Sequence, residues 1–538
     1  MTAEMWGMSG QPSMTAMEPP TPRGFHDSAW PRARSAVLIL IGVGTLLRLL
    51  LATTIGLGVD ESYAVTVARD LSLSYFDHPP LSFWLAGAVA RVAGSEYRLL
   101  VRLPFILLFA GTSWLMYRLG ARLFGERAGF YAALLLNLAP VFSVTTGGWA
   151  LPDGPLVFFM LATVLCLERV LFHQGTVEHP TRWWIAAGVF TGLAMLSKYH
   201  GVFLAAGTLL FLLTRADRRR WLLRPEPYLA AAIAAAIFLP VLIWNESNDW
   251  VSFRFQGARG VPHHPSLIPF LQTIGGQAGY LLPWIWVPLV WLLAKGLVEG
   301  PRNPKRWFFC CLAVGPILFF TLPSLGGNPG LPHWAAPGYL LLFPLLGAAV
   351  DRRLTEGSAA TRRWLTGSAA GFLIILAVAA THAATGWMAR VAPTLFERGD
   401  PSWEVVDWSE LRPALAERGV TGGAHSIVAA TSWIAAGKVA HALGPDIPVV
   451  CLCDHPHHFH FLYPETEALG RDVVLVERVS ARNDVAAEMA RYSRAVEPLG
   501  VVTIHRHGHL EFQLGLYLAR DYSRLVQGDS AHLFSRLK

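Results

Sequence analysis

Two carboxylates, Asp60 and Glu61, stand side by side where the first apolar run ends, in "LLATTIGLGVDESYA". A charge inside a bilayer costs a few kcal/mol or more, so acids at the edge of an apolar segment are either a solvated helix end or a working site. The pattern recurs along the chain. "YFDHPPL" brings Asp77 and His78, and Arg102 follows at the start of the next apolar run. "TTGGWALPDGP" brings Asp153, and "SKYHG" brings Lys198 and Tyr199. "NESNDWVSFRFQGARGVPHHP" brings Arg254, Arg259, His263 and His264, and "GGNPGLPHWAAP" brings His333. A carboxylate near lipid headgroups is partly desolvated, which raises its pKa and makes it a better proton acceptor. Cations neutralise an anion such as a phosphate, arginine as a planar fork and lysine as a point charge. Asp60, with Glu61 beside it, is the candidate base. Asp153 would orient a second substrate or share the work. Lys198, Arg102, Arg254 and Arg259 are the candidate phosphate ligands. Tyr63, Tyr199 and His333 are candidates for other substrate contacts.

The elements that must position these residues are apolar. The runs predict about eleven spans, several of them short for a hydrocarbon core of roughly 30 Å. They fall near 36–57, 103–119, 128–145, 154–172, 183–197, 200–214, 227–244, 273–294, 307–322, 335–350 and 364–387. "GLAMLSKYHGVFLAAG" has only a brief polar break, so the fifth and sixth read as two short helices meeting there. "YRLGARLFGER", "RVLFHQGTVEHPTR", "RADRRRWLLR", "KGLVEGPRNPKR" and "DRRLTEGSAATRR" form the Lys/Arg-rich loop set, which the positive-inside rule makes cytoplasmic. The candidate residues all belong to the opposite set, so five separate loops converge on one outer face. The first of these, 58–102, carries alternating aromatic and polar residues suited to interfacial helices.

Composition agrees with a polytopic α-helical membrane protein. Of 538 residues, 53% are hydrophobic and 15% charged, and mean hydropathy is +0.39. The formal charge of +7 reflects cytoplasmic loops and anionic lipids, with no nucleic-acid partner implied. Residues 1–35 are polar and Pro- and Met-rich without a cleavable signal pattern, and are expected to be a disordered cytoplasmic tail. Residues 36–388 form the membrane domain. Residues 389–538 alternate short apolar strands ("IPVVCLC", "DVVLVERV", "LEFQLGLYLARDY") with helical stretches ("NDVAAEMARYSRAV"), which predicts a small α/β domain on the outer side.

In their order, "GVDESYAVTVARDLSLSYFDHPPLSFWL", "RLP", "LPDGPLVFF" and "LAMLSKYHGVFL" resemble the family 39 glycosyltransferases of the GT-C class. That family includes protein O-mannosyltransferases and the bacterial transferases that add aminoarabinose to lipid A. The resemblance covers roughly residues 36–350. It implies transfer of a sugar, with inversion, from a polyprenyl phosphate to an acceptor on the outer face of the bacterial inner membrane. The acceptor would be lipid A, core oligosaccharide, another lipid or a protein. Asp60 then matches the family's catalytic aspartate, Asp153 the aspartate of the second outer loop, and Lys198 its outer-loop lysine. The chain departs at His78, where aminoarabinose transferases carry a lysine, so phosphate binding there requires a raised histidine pKa. The chemistry is coherent without the family. An oxocarbenium-like transition state needs a base for the acceptor hydroxyl and cations for the departing phosphate, which needs no protonation.

Plainer readings stand beside these. Lys198 reads equally as a snorkelling side chain, Arg254 and Arg259 as headgroup contacts, and His333 as a residue capping the tenth span. No cofactor is required, although Asp77 with His263 or His264 would suit a divalent metal. "CLCDHPHHFHF", with Cys451, Cys453, Asp454, His455, His457, His458 and His460, matches no standard zinc spacing and reads as a polar loop of the outer domain. The alternative function is a transporter or flippase of a lipid-linked glycan. It would call for ionisable groups at the midplane and favours internal repeats; only Arg48 lies inside a span, and no repeat is visible.

Overall fold

The computed structural model describes residues 32–173, 178–259, 264–327, 330–397, 399–420, 426–479 and 485–523. The expected tail therefore falls outside the described residues up to position 31, as does His263. The chain is a bundle of apolar helices followed by a small mixed sheet, and it is a multi-pass membrane protein.

Helix α1 (Arg32–Thr54) is an unbroken apolar run that ends before a short helix, α2 (Val59–Val67). Helix α3 (Leu81–Ala93) completes the first outer loop, and α4 (Arg98–Phe124) returns across the bundle. Helix α5 (Glu126–Asn137) runs through a π-helical turn, Val141–Thr146, toward α6 (Asp153–Leu171). Arg48 of α1 donates to the Ser143 carbonyl at 2.8 Å and to Asn137 Oδ1 at 3.0 Å, so its charge is satisfied inside the bundle. Helices α7 (Pro180–Ser197), α8 (Val202–Thr214), α9 (Glu226–Ser247) and α10 (Val251–Ala258) follow.

Helices α11 (Leu267–Leu281) and α12 (Pro283–Glu299) meet at 111°. Leu282 holds a left-handed φ of 68° at the joint, and Pro283 brings no N–H to continue the first helix. Next come α13 (Pro304–Thr321), α14 (Ala336–Leu340), α15 (Phe343–Thr355) and α16 (Ala359–Thr385). Among the described residues, six helices are long and apolar enough to cross a membrane, or eight if each bent pair is one span. The expected count of eleven is therefore not confirmed. The 273–294 segment is broken by its bend, and 335–350 is a pair bent by 60°. The segments near 128–145 and 200–214 fold as helices of 12 and 13 residues.

After α17 (Trp387–Val391) and α18 (Leu411–Glu417), the chain forms a five-stranded sheet. Its strands are β1 (Ser426–Ala430), β2 (Val449–Cys451), β3 (Asp472–Arg478), β4 (Ser493–Arg506) and β5 (His509–Tyr522), in the order β2-β1-β3-β5-β4. Strand β1 pairs parallel with β2 and β3, and β5 pairs antiparallel with β3 and β4. The expected helix in "NDVAAEMARYSRAV" stops at Met489, and the chain from Ser493 becomes β4. Pro498 and Gly500 hide that strand from pattern reading, because they sit at a register shift in its ladder.

Helix α19 (Trp433–Leu443), which follows β1, packs on α2. At Gly437, a Cβ would lie 3.0 Å from the Tyr63 backbone, so only glycine allows that approach. Arg506 of β4 reaches Asp400 at 3.0 Å, and His382 at the end of α16 lies 3.2 Å from the same carboxylate. The sheet domain is thus joined both to the last long helix and to the helix that carries Asp60.

Candidate active site

The site begins with the capping of α2. Glu61, three residues after Gly58, accepts the Gly58 N–H on Oε2 at 2.8 Å. Arg102 donates Nε to Glu61 Oε1 at 2.8 Å and Nη2 to Oε2 at 2.5 Å. The Ala150 N–H donates to Oε1 at 2.8 Å. The rest of the guanidinium is taken by the carbonyls of Ile55 and Gly56, each at 2.7 Å. Burial raises the Glu61 pKa, and the Arg102 charge with these hydrogen bonds more than reverses it, leaving the carboxyl below its ordinary value. Two expectations need correcting here. Glu61 has no lone pair left to accept a substrate proton, and Arg102 no fork left for a phosphate. The pair is a buried strut tying α2, α4 and the Ala150 turn together.

Asp60 precedes Glu61 by one residue, about 100° round the helix, and points elsewhere. It is the one exposed residue of α2, whose other eight residues are buried. Its side chain reaches solvent but is crowded by neighbouring protein. The desolvation this crowding causes raises its pKa to about 6, helped by the charges of Asp77, Glu404 and Glu61 and opposed by Lys198. Asp77 is pushed up to about 6 by burial, against a hydrogen bond from Tyr63 and the charge of Arg259. The Tyr63 hydroxyl donates to Asp77 Oδ1 at 2.7 Å and accepts the His458 N–H at 3.1 Å.

Asp153 opens α6, and Lys198 sits in extended backbone where α7 stops. Lys198 Nζ contacts both Asp153 oxygens, at 3.0 and 2.9 Å. Lys198 is only 4% exposed, so it is a buried partner and not a snorkelling cation. His333 and His200 lie near enough to act on Asp153. Gly201 permits this turn, since a Cβ there would lie 2.4 Å from the Met195 backbone.

His78 faces the same cluster, but burial and then the Lys198 charge depress its pKa to about 3. In this environment the ring is held neutral, so the expected phosphate contact would be made by an uncharged imidazole. What the structure leaves it is a neutral hydrogen-bonding ring. Arg259 is exposed and lies over the Phe255 ring at 4.2 Å, where its charge acts on Asp77. Arg254, five residues earlier, is about 140° away round the same turns and exposed. Tyr199 packs on Phe253 at 5.4 Å, behind the cluster. His264 is exposed, and its backbone N–H bonds the Gly326 carbonyl. Among the described residues, no three Asp, Glu, His or Cys side chains are grouped to hold a metal.

The sheet domain supplies residues that sequence reasoning missed. His457 stacks on Trp433 with ring centres 4.6 Å apart, and His458 Nδ1 accepts the Phe76 N–H at 3.2 Å. Burial drives both imidazoles down to about 3, so these two histidines form a buried, neutral seam against "YFDHPPL", while Asp454 and His455 of the expected polar loop are exposed. Lys438 of α19 donates to the carbonyls of Leu57, Val406 and Glu404 at 2.8, 2.7 and 3.2 Å, which fixes the entry to α2. A lysine within the apolar "WIAAGKVAHAL" was the available signal.

Comparison with known proteins places this arrangement. Residues 77–244 match the family model described as dolichyl-phosphate-mannose-protein mannosyltransferase. A lipid A galacturonosyltransferase of Rhizobium johnstonii is 24% identical over 57% of this chain and 63% of its own length. An undecaprenyl phosphate-aminoarabinose arabinosyl transferase of Proteus mirabilis is 22% identical over 48% of this chain and 47% of its own. The chain thus spans less than two thirds of the curated relatives it matches. ArnT from Cupriavidus metallidurans, solved with undecaprenyl phosphate, superposes with a TM-score of 0.61 at 16% identity, over 90% of this chain and 98% of that one. The resemblance read from the outer-loop motifs therefore stands: residues 77–244 match that family model, within a chain that has the GT-C fold of ArnT.

Proposed function

We propose that this chain is an inverting glycosyltransferase that moves a sugar from a polyprenyl-phosphate donor to an envelope glycolipid on the outer face of the inner membrane. The observation that carries the reading is Asp60, an exposed carboxylate with its pKa raised to about 6 and within electrostatic reach of Lys198, itself paired with Asp153. The activities of the relatives, on lipid A and with an undecaprenyl-phosphate sugar, support the same substrate classes.

In this reading the acceptor hydroxyl gives its proton to Asp60 while its oxygen attacks the anomeric carbon. The bond from that carbon to the phosphate oxygen breaks, and the phosphate leaves with the electron pair. Arg259 is the exposed cation for that phosphate, and Lys198 adds positive potential from behind. Asp77, tied to Tyr63, holds the loop that carries His78. Asp153 holds Lys198 in place through both of its carboxylate oxygens. The transporter alternative loses support because the guanidinium of Arg48 is bonded to Ser143 and Asn137.

Mass spectrometry of envelope glycolipids, with and without the gene, tests the proposal. One sugar mass is expected to vanish from one glycolipid and return with the wild-type gene. Unchanged envelopes, together with no transfer from any polyprenyl-phosphate sugar in vitro, refute it.

A further inference from the structure

A second feature lies at the far end of the bundle. Helix α4 places Arg102 near its first turn and Phe124 at its last, and its 27 residues span about 40 Å. Phe124, with residues of α12, α13 and α15, encloses a cavity of about 190 Å³, room for about six waters. Its lining holds three cations from three helices, Lys295, Arg306 and Arg352, and no carboxylate. Glu299, just outside, meets Arg306 and lies 3.8 Å from Lys295, which leaves two positive charges uncompensated. Arg352 is exposed and has no ion pair among the described residues. Ala348 and Ala349 form a small-residue wall that keeps the space open.

We propose that this cavity binds the phosphate headgroup of an anionic membrane phospholipid at the Lys/Arg-rich end of the bundle. Two uncompensated cations at a partly open cavity match a phosphodiester. The neighbouring surface favours a lipid over a free ion. Val287, Trp291 and Val298 are all exposed and lie with Lys295 in one stripe of α12, spaced by about one or two turns. An acyl chain along that stripe ends with its phosphate beside Lys295.

The test uses the full chain, delipidated in detergent, with lipid binding followed by native mass spectrometry. Phosphatidylglycerol is expected to bind at least about tenfold more tightly than phosphatidylcholine. The Lys295→Gln/Arg352→Gln double variant is expected to weaken phosphatidylglycerol about 30-fold, which is about 2 kcal/mol at 1.4 kcal/mol per tenfold. A charge-keeping Lys295→Arg/Arg352→Lys variant should restore most of the affinity. Arg220→Gln, an exposed cation outside the cavity lining, should change nothing. Equal binding of the two lipids, wild-type affinity in the double variant, or an equal loss in Arg220→Gln would overturn the proposal. So would failure of the charge-keeping variant, or displacement of the lipid by millimolar inorganic phosphate.

Discussion

Replacing Glu61 with glutamine separates a strut from a base. The substitution keeps the shape and removes the charge, leaving Arg102, 2% exposed, without its counter-ion. Breaking a buried pair in this way costs about 3–5 kcal/mol, since the remaining charge stays desolvated. That is a large share of a typical margin of about 5–15 kcal/mol. The variant should therefore melt well below wild type in a detergent thermal-shift assay. Glu61 is held below its ordinary value of 4.5, so its stabilisation is complete above that pH and is lost as pH falls through the lower folded value. The gap between variant and wild type should accordingly narrow on acidification below 4.5. A Glu61→Met/Arg102→Met double variant, which buries no charge, should recover part of the loss. Unchanged melting with abolished transfer would refute the strut and return Glu61 to the chemistry.

Tyr63→Phe strips Asp77 of a hydrogen bond and leaves the buried His458 N–H without its acceptor. It should cost about 1–3 kcal/mol by thermal unfolding. Lys198→Ala leaves Asp153 unpaired and should raise the donor KM more than the acceptor KM; equal rises would mark a purely structural lysine. Lys438→Met strands three carbonyls, at Leu57, Val406 and Glu404. It should loosen the sheet domain, read as faster limited proteolysis between α16 and β1.

The outer loops were legible as a group because each acid or base ends an apolar run, and the spans announce themselves by composition. The roles within the group were not. Asp60 and Glu61 look equivalent in sequence, and only the approach of Arg102, 41 positions away, separates a saturated carboxylate from an open one. Lys198 read as a surface cation because its partner Asp153 lies 45 residues distant. The sheet domain read as an accessory. Its histidines and Lys438 acquire meaning only once α19 is seen against α2. Strand β4 stayed hidden for a local reason, the Pro498–Gly500 irregularity, one of two register shifts in its ladder.

The most direct measurement is single-turnover sugar transfer by Asp60→Asn, with donor binding measured on the same preparation. A general base contributes about 10²–10⁴-fold, so the rate should fall by at least about 100-fold. Donor affinity and melting temperature should hold, and wild-type activity should rise with pH through about 6 as Asp60 ionises. A variant that transfers sugar at the wild-type rate would contradict the assignment of Asp60 as the base.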